Sequence, residues 1–129
     1  RGDGAAPIEL ELMVEGATIL HDDVLGRFEL GILIEDVVGD VDGGLADSWN
    51  GDRYAVVEQA DGIRALVSFI VWDSPQARDR FVQAVGRAPS NFGGTVQIEA
   101  LQIAGHAATR MSVNSTDDFS ASAAEVGGR

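Results

Sequence analysis

Two apolar runs separated by a short turn sequence constrain the fold of this chain more than any other feature. The runs extend over residues 54–58 and 63–72, and Ala60-Asp61-Gly62 lies between them. Aspartate followed by glycine readily adopts the backbone angles that a tight turn between antiparallel strands requires. The sequence therefore predicts a β-hairpin at this position.

The second run is apolar at odd and even positions alike. Because successive side chains of a strand point to opposite faces, this pattern predicts a strand that is covered on both sides and central in its sheet. One predicted face carries Ile63, Ala65, Val67, Phe69 and Val71, and the other carries Leu66, Ile70 and Trp72.

Three further strands are predicted from alternation and from turn residues. Apolar and acidic side chains alternate over residues 8–14, which is typical of a half-buried strand. The ranges 96–103 and 106–113 flank a tight turn around Gly105 and form a second predicted hairpin. Asn50-Gly51 predicts a separate turn before the first hairpin.

Helical segments are predicted at three places. Asp73-Ser74-Pro75 combines a capping residue with a proline at the first helical position, which predicts a helix over residues 74–86. Apolar residues at helical spacing predict another helix over residues 23–38. Residues 114–117 suit the cap of a short C-terminal helix. The apolar residues of that helix are Phe119, Ala123 and Val126.

These elements predict an α+β domain built as a single layer pair. Its mostly antiparallel sheet has about five strands, carries two main helices on one face and is followed by the short C-terminal helix. Residues 8–126 are expected to form one domain, with residues 1–7 as a flexible lead-in and residues 127–129 as a loose tail.

The charge and the residue types exclude several classes of function. There are 21 acidic residues against 9 basic ones, all of them arginine, and the net charge is −12. Nucleic acid needs clustered positive charge, so it is excluded as a partner. Without cysteine or lysine the chain has no thiolate nucleophile, no disulfide and no Schiff-base amine. No apolar run approaches the roughly 18 residues of a membrane-spanning helix, which predicts no membrane insertion.

An acidic, glycine-rich loop is the candidate metal site. Its carboxylates are Asp36, Asp40, Asp42 and Asp47. Hard oxygen ligands of this kind suit Ca²⁺, and no other cofactor is predicted. The EF-hand spacing is not met, because Gly43 at the sixth position would place Val38 first and Trp49 twelfth. A solvated acidic loop that caps neighbouring helices is the alternative.

Trp49, Asp52, Arg53 and Tyr54 form the densest group of polar and aromatic side chains in the chain. Such a group on a surface loop can recognise a partner. The structural alternative is that Trp49 packs beneath the sheet while Asp52 and Arg53 fix a turn through charge-assisted hydrogen bonds.

Two further candidates are local. His21-Asp22-Asp23 is either a metal-binding or acid–base trio, or the cap of the helix predicted from residue 23. Asn114-Ser115-Thr116 fits the N-glycosylation pattern. Neither Gly-x-Ser-x-Gly nor His-Glu-x-x-His occurs in the sequence, so no catalytic residues are predicted.

The sequence over residues 45–54, Leu-Ala-Asp-Ser-Trp-Asn-Gly-Asp-Arg-Tyr, precedes a strand ending in Trp72-Asp73-Ser74 and a helix with Ala77 and Phe81. Together with the apolar segment from Val24, it resembles a family of secreted or lipid-anchored surface proteins of haloarchaea and high-GC bacteria. In that family Gly-Trp-x-Gly-Asp-Arg-Tyr precedes a strand ending in Trp-Asp-Ser or Trp-Asp-Thr, whereas this chain has Ser48 in place of the first glycine. The resemblance spans residues 24–85 and implies an exported, non-catalytic domain accompanying a metallopeptidase-like module.

The predicted function is therefore an exported, non-enzymatic accessory or interaction domain of a secreted or cell-surface protein, located outside the cell. Its expected partner is another protein or its own parent chain. Two alternatives come from other classes. One is a structural subunit of an extracellular assembly, in which the loose N-terminal segment or the strand near residues 8–14 adds to a neighbour's sheet. The other is a metal-assisted hydrolase that uses the acidic loop.

Overall fold

The protein is described here by a computed structural model that covers residues 8–24, 49–86, 96–113 and 119–125. These residues form seven strands and one helix. In chain order the elements are β1 (Leu10–Glu15), β2 (Thr18–Asp23), β3 (Trp49–Glu58), β4 (Arg64–Trp72), α1 (Pro75–Gly86), β5 (Val96–Ile103), β6 (His106–Val113) and β7 (Ser120–Glu125).

The strands form two antiparallel sheets. The larger sheet has five strands in the order β2-β3-β4-β6-β5, so β4 is central, as its apolar pattern predicts. The smaller sheet pairs β1 with β7, and we call it the β1–β7 ribbon. Both predicted hairpins are confirmed. The turn of the first is fixed by two backbone hydrogen bonds, from Gln59 N to Ile63 O at 3.1 Å and from Gly62 N to Gln59 O at 2.9 Å.

Both faces of the five-stranded sheet are covered, which gives three layers. On one face the ribbon buries alternate residues of the sheet, among them Val57, Val67 and Phe69, against Leu10 and Phe119. We call this the ribbon face. On the other, the helix face, α1 packs on the sheet through the buried side chains Ala77, Phe81 and Val85. Their partners from the sheet are Ile70, Trp72 and Met111.

The N-terminus of α1 matches its prediction. Ser74 Oγ accepts a hydrogen bond from Ala77 N at 3.2 Å, which is the contact expected of a capping serine followed by proline. Phe81 lies on Trp72 with the two ring centroids 5.0 Å apart. The apolar stripe of the helix therefore packs at the end of β4, directly after which the helix begins.

The predicted fold class is wrong, because the described residues are mostly β and contain one helix. The C-terminal helix predicted around Phe119 and Ala123 is strand β7. Ala121 and Ala123 pack against the core while Ser120 and Ser122 are exposed, so the segment has the two-residue period of a strand. Pairing with β1 satisfies its backbone, and this non-local contact overrides the helical spacing of its apolar residues.

The single layer pair is also wrong, since the ribbon and α1 lie on opposite faces of the sheet. Asp22 and Asp23, predicted to cap a helix that starts at residue 23, belong to strand β2. The remainder of that predicted helix, residues 25–38, lies outside the described residues, as do residues 1–7 and 127–129.

The turn predicted at Asn50-Gly51 is wrong as well, because both residues belong to β3. The register with β4 shifts between Trp49 and Gly51, so the segment is a bulge within the strand. Gly51 has φ = 141°, and a Cβ at this position would lie 2.2 Å from the backbone oxygen of Ile8. Glycine is therefore used here for a close approach of the chain entering β1, and Ile8 N donates to Asn50 O at 2.8 Å.

Candidate functional site

The four residues of the polar and aromatic group all lie on β3, and the structure divides them between two faces. Arg53 shares the ribbon face with Ala55 and Val57, because residues two apart on a strand point the same way. Asp52 and Tyr54 point to the helix face, where half-buried Trp49 packs beside Trp72. The group therefore does not converge on one surface.

Trp49 and Asp52 are joined by a direct hydrogen bond. Trp49 Nε1 donates to Asp52 Oδ1 at 3.0 Å, and Asp52 is buried with 1% of its surface exposed. The bond spans the bulge at Gly51 and satisfies the indole N–H of a packed tryptophan. Both polar groups are thus used inside the domain, although Asp52 binds the indole within strand β3 and does not fix a turn as the structural alternative predicted.

Arg53 forms an ion pair with Asp22 of the neighbouring strand β2. Its Nη2 atom lies 2.8 Å from Asp22 Oδ1, and the two side chains are 32% and 33% exposed. Partly exposed pairs of this kind contribute little net stability, about 0–1 kcal/mol. Their role here is positional, since the pair ties β2 to β3 on the ribbon face.

His21 and Tyr54 make the corresponding contact on the helix face. Their ring centroids are 5.9 Å apart and the ring planes are inclined by 52°. Asp22 points to the opposite face from His21 and Asp23, so the predicted trio does not converge on one ion. Asp23 instead accepts a hydrogen bond from the backbone N of Val24 at 2.8 Å.

Several predicted site residues lie outside the described residues. They are Asp36, Asp40, Asp42, Asp47 and Asn114. Among the residues that the structure does describe, no group of three or more His, Asp or Glu side chains is placed to hold a metal ion.

The structure reveals an exposed apolar segment that sequence reasoning missed. Strand β2 lies at the edge of the five-stranded sheet, and Ile19, Leu20 and Val24 are 40%, 44% and 43% exposed. The register with β3 shifts between Ile19 and His21, which makes Leu20 the bulge residue. We call residues 18–24 the β2 edge. The signal for this strand is Thr18-Ile19-Leu20 between Gly16 and the two aspartates, a short β-prone run bounded by polar residues.

A shallow groove of about 420 Å³ adjoins the start of the β2 edge. It lies between the β1–β2 turn, which includes Gly16, and the β3–β4 hairpin, which includes Gln59. Gln59 is 3% exposed and donates from Nε2 to Ile63 O at 3.0 Å, so it shapes the floor of the groove. Glu58 is the charged residue of its lining.

The fold and this edge define a class of small, mostly β domain with an apolar edge strand beside a polar groove. Residues 12–126 match the family described as "Domain of unknown function (DUF8575)". The chain belongs to this family. No curated protein and no solved structure matches it significantly. Within the described residues, no helix has the length and apolar character needed to span a membrane.

Proposed function

We propose that this chain is a non-enzymatic interaction domain of an exported protein, and that it binds a protein partner through the β2 edge. The observation that carries this proposal is the exposure of three apolar side chains along the β2 edge, Ile19 and Leu20 on the edge strand and Val24 directly after it. An edge strand has backbone groups on its outer side that another chain can pair with. Exposed apolar residues beside such groups supply the contact area that partner binding needs.

The polar and aromatic group on β3 supports the proposal indirectly. Trp49 binds Asp52, Arg53 binds Asp22 and the ring of Tyr54 lies against His21. These contacts hold β2 and the bulged start of β3 in place. Their role in the proposed function is to fix the shape of the binding edge, and the contact with the partner is made by β2 itself.

Export rests on the resemblance to secreted and lipid-anchored surface proteins and on the acidic composition, which suits a domain that faces solvent. Treating intact cells of the source organism with a protease, followed by immunoblotting of the parent protein, tests this part. Loss of the domain from intact cells is expected. Protection until the cells are lysed would contradict export while leaving the binding proposal in place.

Binding is tested by selecting peptides against the purified domain from a displayed random library. Selected peptides are expected to lose affinity by about tenfold or more with Leu20→Lys, because a charge replaces a central apolar contact. Ile63→Lys is the matched control, since Ile63 is 52% exposed on the β3–β4 hairpin and belongs neither to the β2 edge nor to the lining of the groove. Met13→Lys, on β1 and 47% exposed, is a second control.

The selection has a clear contrary outcome. If the selected peptides bind Leu20→Lys and Ile19→Lys as tightly as the original chain, or if both controls weaken them equally, the β2 edge is not the binding surface. Both target residues are well exposed, so the variants are expected to fold, and circular dichroism verifies that they do.

A further inference from the structure

Resting on the proposed function, we infer that the partner binds as an added β-strand along the outer side of β2, and that this strand alternates apolar with basic side chains. The domain would thereby extend its sheet from five strands to six. Main-chain hydrogen bonds give affinity in this mode of recognition, and alternate side chains give specificity.

The geometry of β2 suits strand addition. Among the described strands, β2 pairs only with β3, so no described strand occupies its other side. In a strand of this length about three residues direct their backbone N–H and C=O groups to that side. Ile19 and Leu20 lie in the middle of the segment, where an added strand would cover them.

The edge is held in its extended form before any partner arrives. The ion pair between Asp22 and Arg53 fixes β2 from the ribbon face, and the contact between His21 and Tyr54 fixes it from the helix face. A strand that is already ordered pays less conformational entropy on binding than a loop that must fold. The partner segment alone then has to become extended.

The charges around the edge select the partner. Asp23 is exposed on the helix face, and Glu58 is exposed on the same face opposite Thr18. Arg53, the cation beside β2, already pairs with Asp22. Glu58 lies opposite Arg64 in the β3–β4 register, so the carboxylate that basic residues on the helix face of the added strand would meet is Asp23, in a chain of net charge −12. Apolar residues on the ribbon face of the added strand would lie beside Ile19.

The same charges disfavour a second copy of this chain as the occupant. Each copy carries a net charge of −12, so two copies repel one another. The bulge at Leu20 and the aspartates at the end of β2 are devices that natural proteins use against pairing of identical edges. A basic, extended segment of a different protein avoids this charge repulsion.

The test uses three synthetic peptides of nine residues with blocked ends. In the first, valine alternates with arginine, and in the second the same residues are grouped into a valine block and an arginine block. The third repeats the alternating sequence with methyl groups on alternate backbone nitrogens. Titration into isotope-labelled domain, followed by nuclear magnetic resonance, gives the dissociation constants and the amides that become protected from hydrogen exchange.

The alternating peptide is expected to bind about tenfold or more tightly than the block and methylated peptides, with new protection confined to residues 18–24. Leu20→Lys is expected to weaken it by about tenfold, and Ile63→Lys to leave it unchanged. Equal binding of the methylated peptide, or protection at β5 in place of β2, would overturn strand addition. A dimer in sedimentation that Leu20→Lys dissociates would overturn the choice of partner.

These outcomes separate the inference from the function on which it rests. Library peptides that depend on Leu20 but tolerate backbone methylation would leave the proposed function standing and remove strand addition. If no selected peptide depends on Leu20, the proposed function fails, and the inference fails with it.

Discussion

Replacing Gly51 by alanine tests how the start of β1 is docked onto the five-stranded sheet. Gly51 has φ = 141°, and its added Cβ would lie 2.2 Å from the backbone oxygen of Ile8. Backbone conformations that are open almost only to glycine cost another residue about 1–3 kcal/mol. Ile8 must also move, and its 2.8 Å hydrogen bond to Asn50 O is then lost. Such a bond contributes about 0.5–1.5 kcal/mol.

The two terms together give an expected loss of about 2–4 kcal/mol in the free energy of unfolding. Urea denaturation followed by tryptophan fluorescence measures it. Gly62→Ala is the matched control, because Gly62 has φ = 85° with nothing within 4 Å of the added Cβ. Only the cost of a left-handed conformation, about 1–2 kcal/mol, is expected there.

The difference between the two variants isolates the collision with Ile8. A chain that begins at Glu9 removes the colliding oxygen, so in that chain the excess cost of Gly51→Ala over Gly62→Ala is expected to shrink. If Gly51→Ala costs no more than Gly62→Ala in the full chain, the close approach of Ile8 does not contribute to stability and the reasoning is refuted.

Two more predictions concern buried hydroxyl groups on the helix face. Ser68 is 2% exposed, and among the described residues its Oγ has no hydrogen-bond partner. Ser68→Ala is therefore expected to raise the free energy of unfolding by up to about 1 kcal/mol in thermal denaturation, and a clear loss of stability would show that the hydroxyl is satisfied. Trp72 Nε1 donates to the buried Thr109 Oγ1 at 3.2 Å. Trp72→Phe removes this donor, so it is expected to lower the free energy of unfolding by about 1–3 kcal/mol in urea denaturation. Adding Thr109→Val to Trp72→Phe is expected to recover part of that loss, and a strictly additive double variant would contradict the bond.

The sequence predicts those elements whose signals are local. The apolar run of β4, the Asp-Gly turn before it and the Ser-Pro start of α1 each carry their own information, and each is found in place. Predicting β4 as central also succeeds, because a strand that is apolar on both faces must be covered on both.

The missed strands lack such signals for identifiable reasons. In β2 the bulge at Leu20 makes the side chains of Ile19 and His21 point to opposite faces, although the two residues are two positions apart. The two-residue alternation that marks a strand is therefore interrupted after three residues. In β7 the inward residues are alanines, whose spacing also fits a helix together with Phe119. Pairing of β7 with β1, at the other end of the chain, favours the strand over the helix. This contact cannot be predicted from a local sequence pattern.

The candidate site was predicted from residue types alone, and it is the part of the molecule for which the sequence was least informative. Trp49, Asp52, Arg53 and Tyr54 attract attention because they are rich in hydrogen-bonding groups. The hydrogen bond between Trp49 and Asp52 and the ion pair of Arg53 with Asp22 use those groups within the domain. Ile19 and Leu20 resemble ordinary core residues in the sequence, and only their place on an edge strand makes them candidates for binding.

The exposure of β2 follows from where α1 lies. The helix begins three residues after β4 ends and packs on the central strand β4 and on β6 and β5 to one side of it. A connection this short cannot carry the helix across to β2 on the other side. No described helix therefore covers the β2 edge, and β1 is the strand of the ribbon that contacts β2 most. The β4–α1 connection thus places the one described helix on the part of the helix face away from β2.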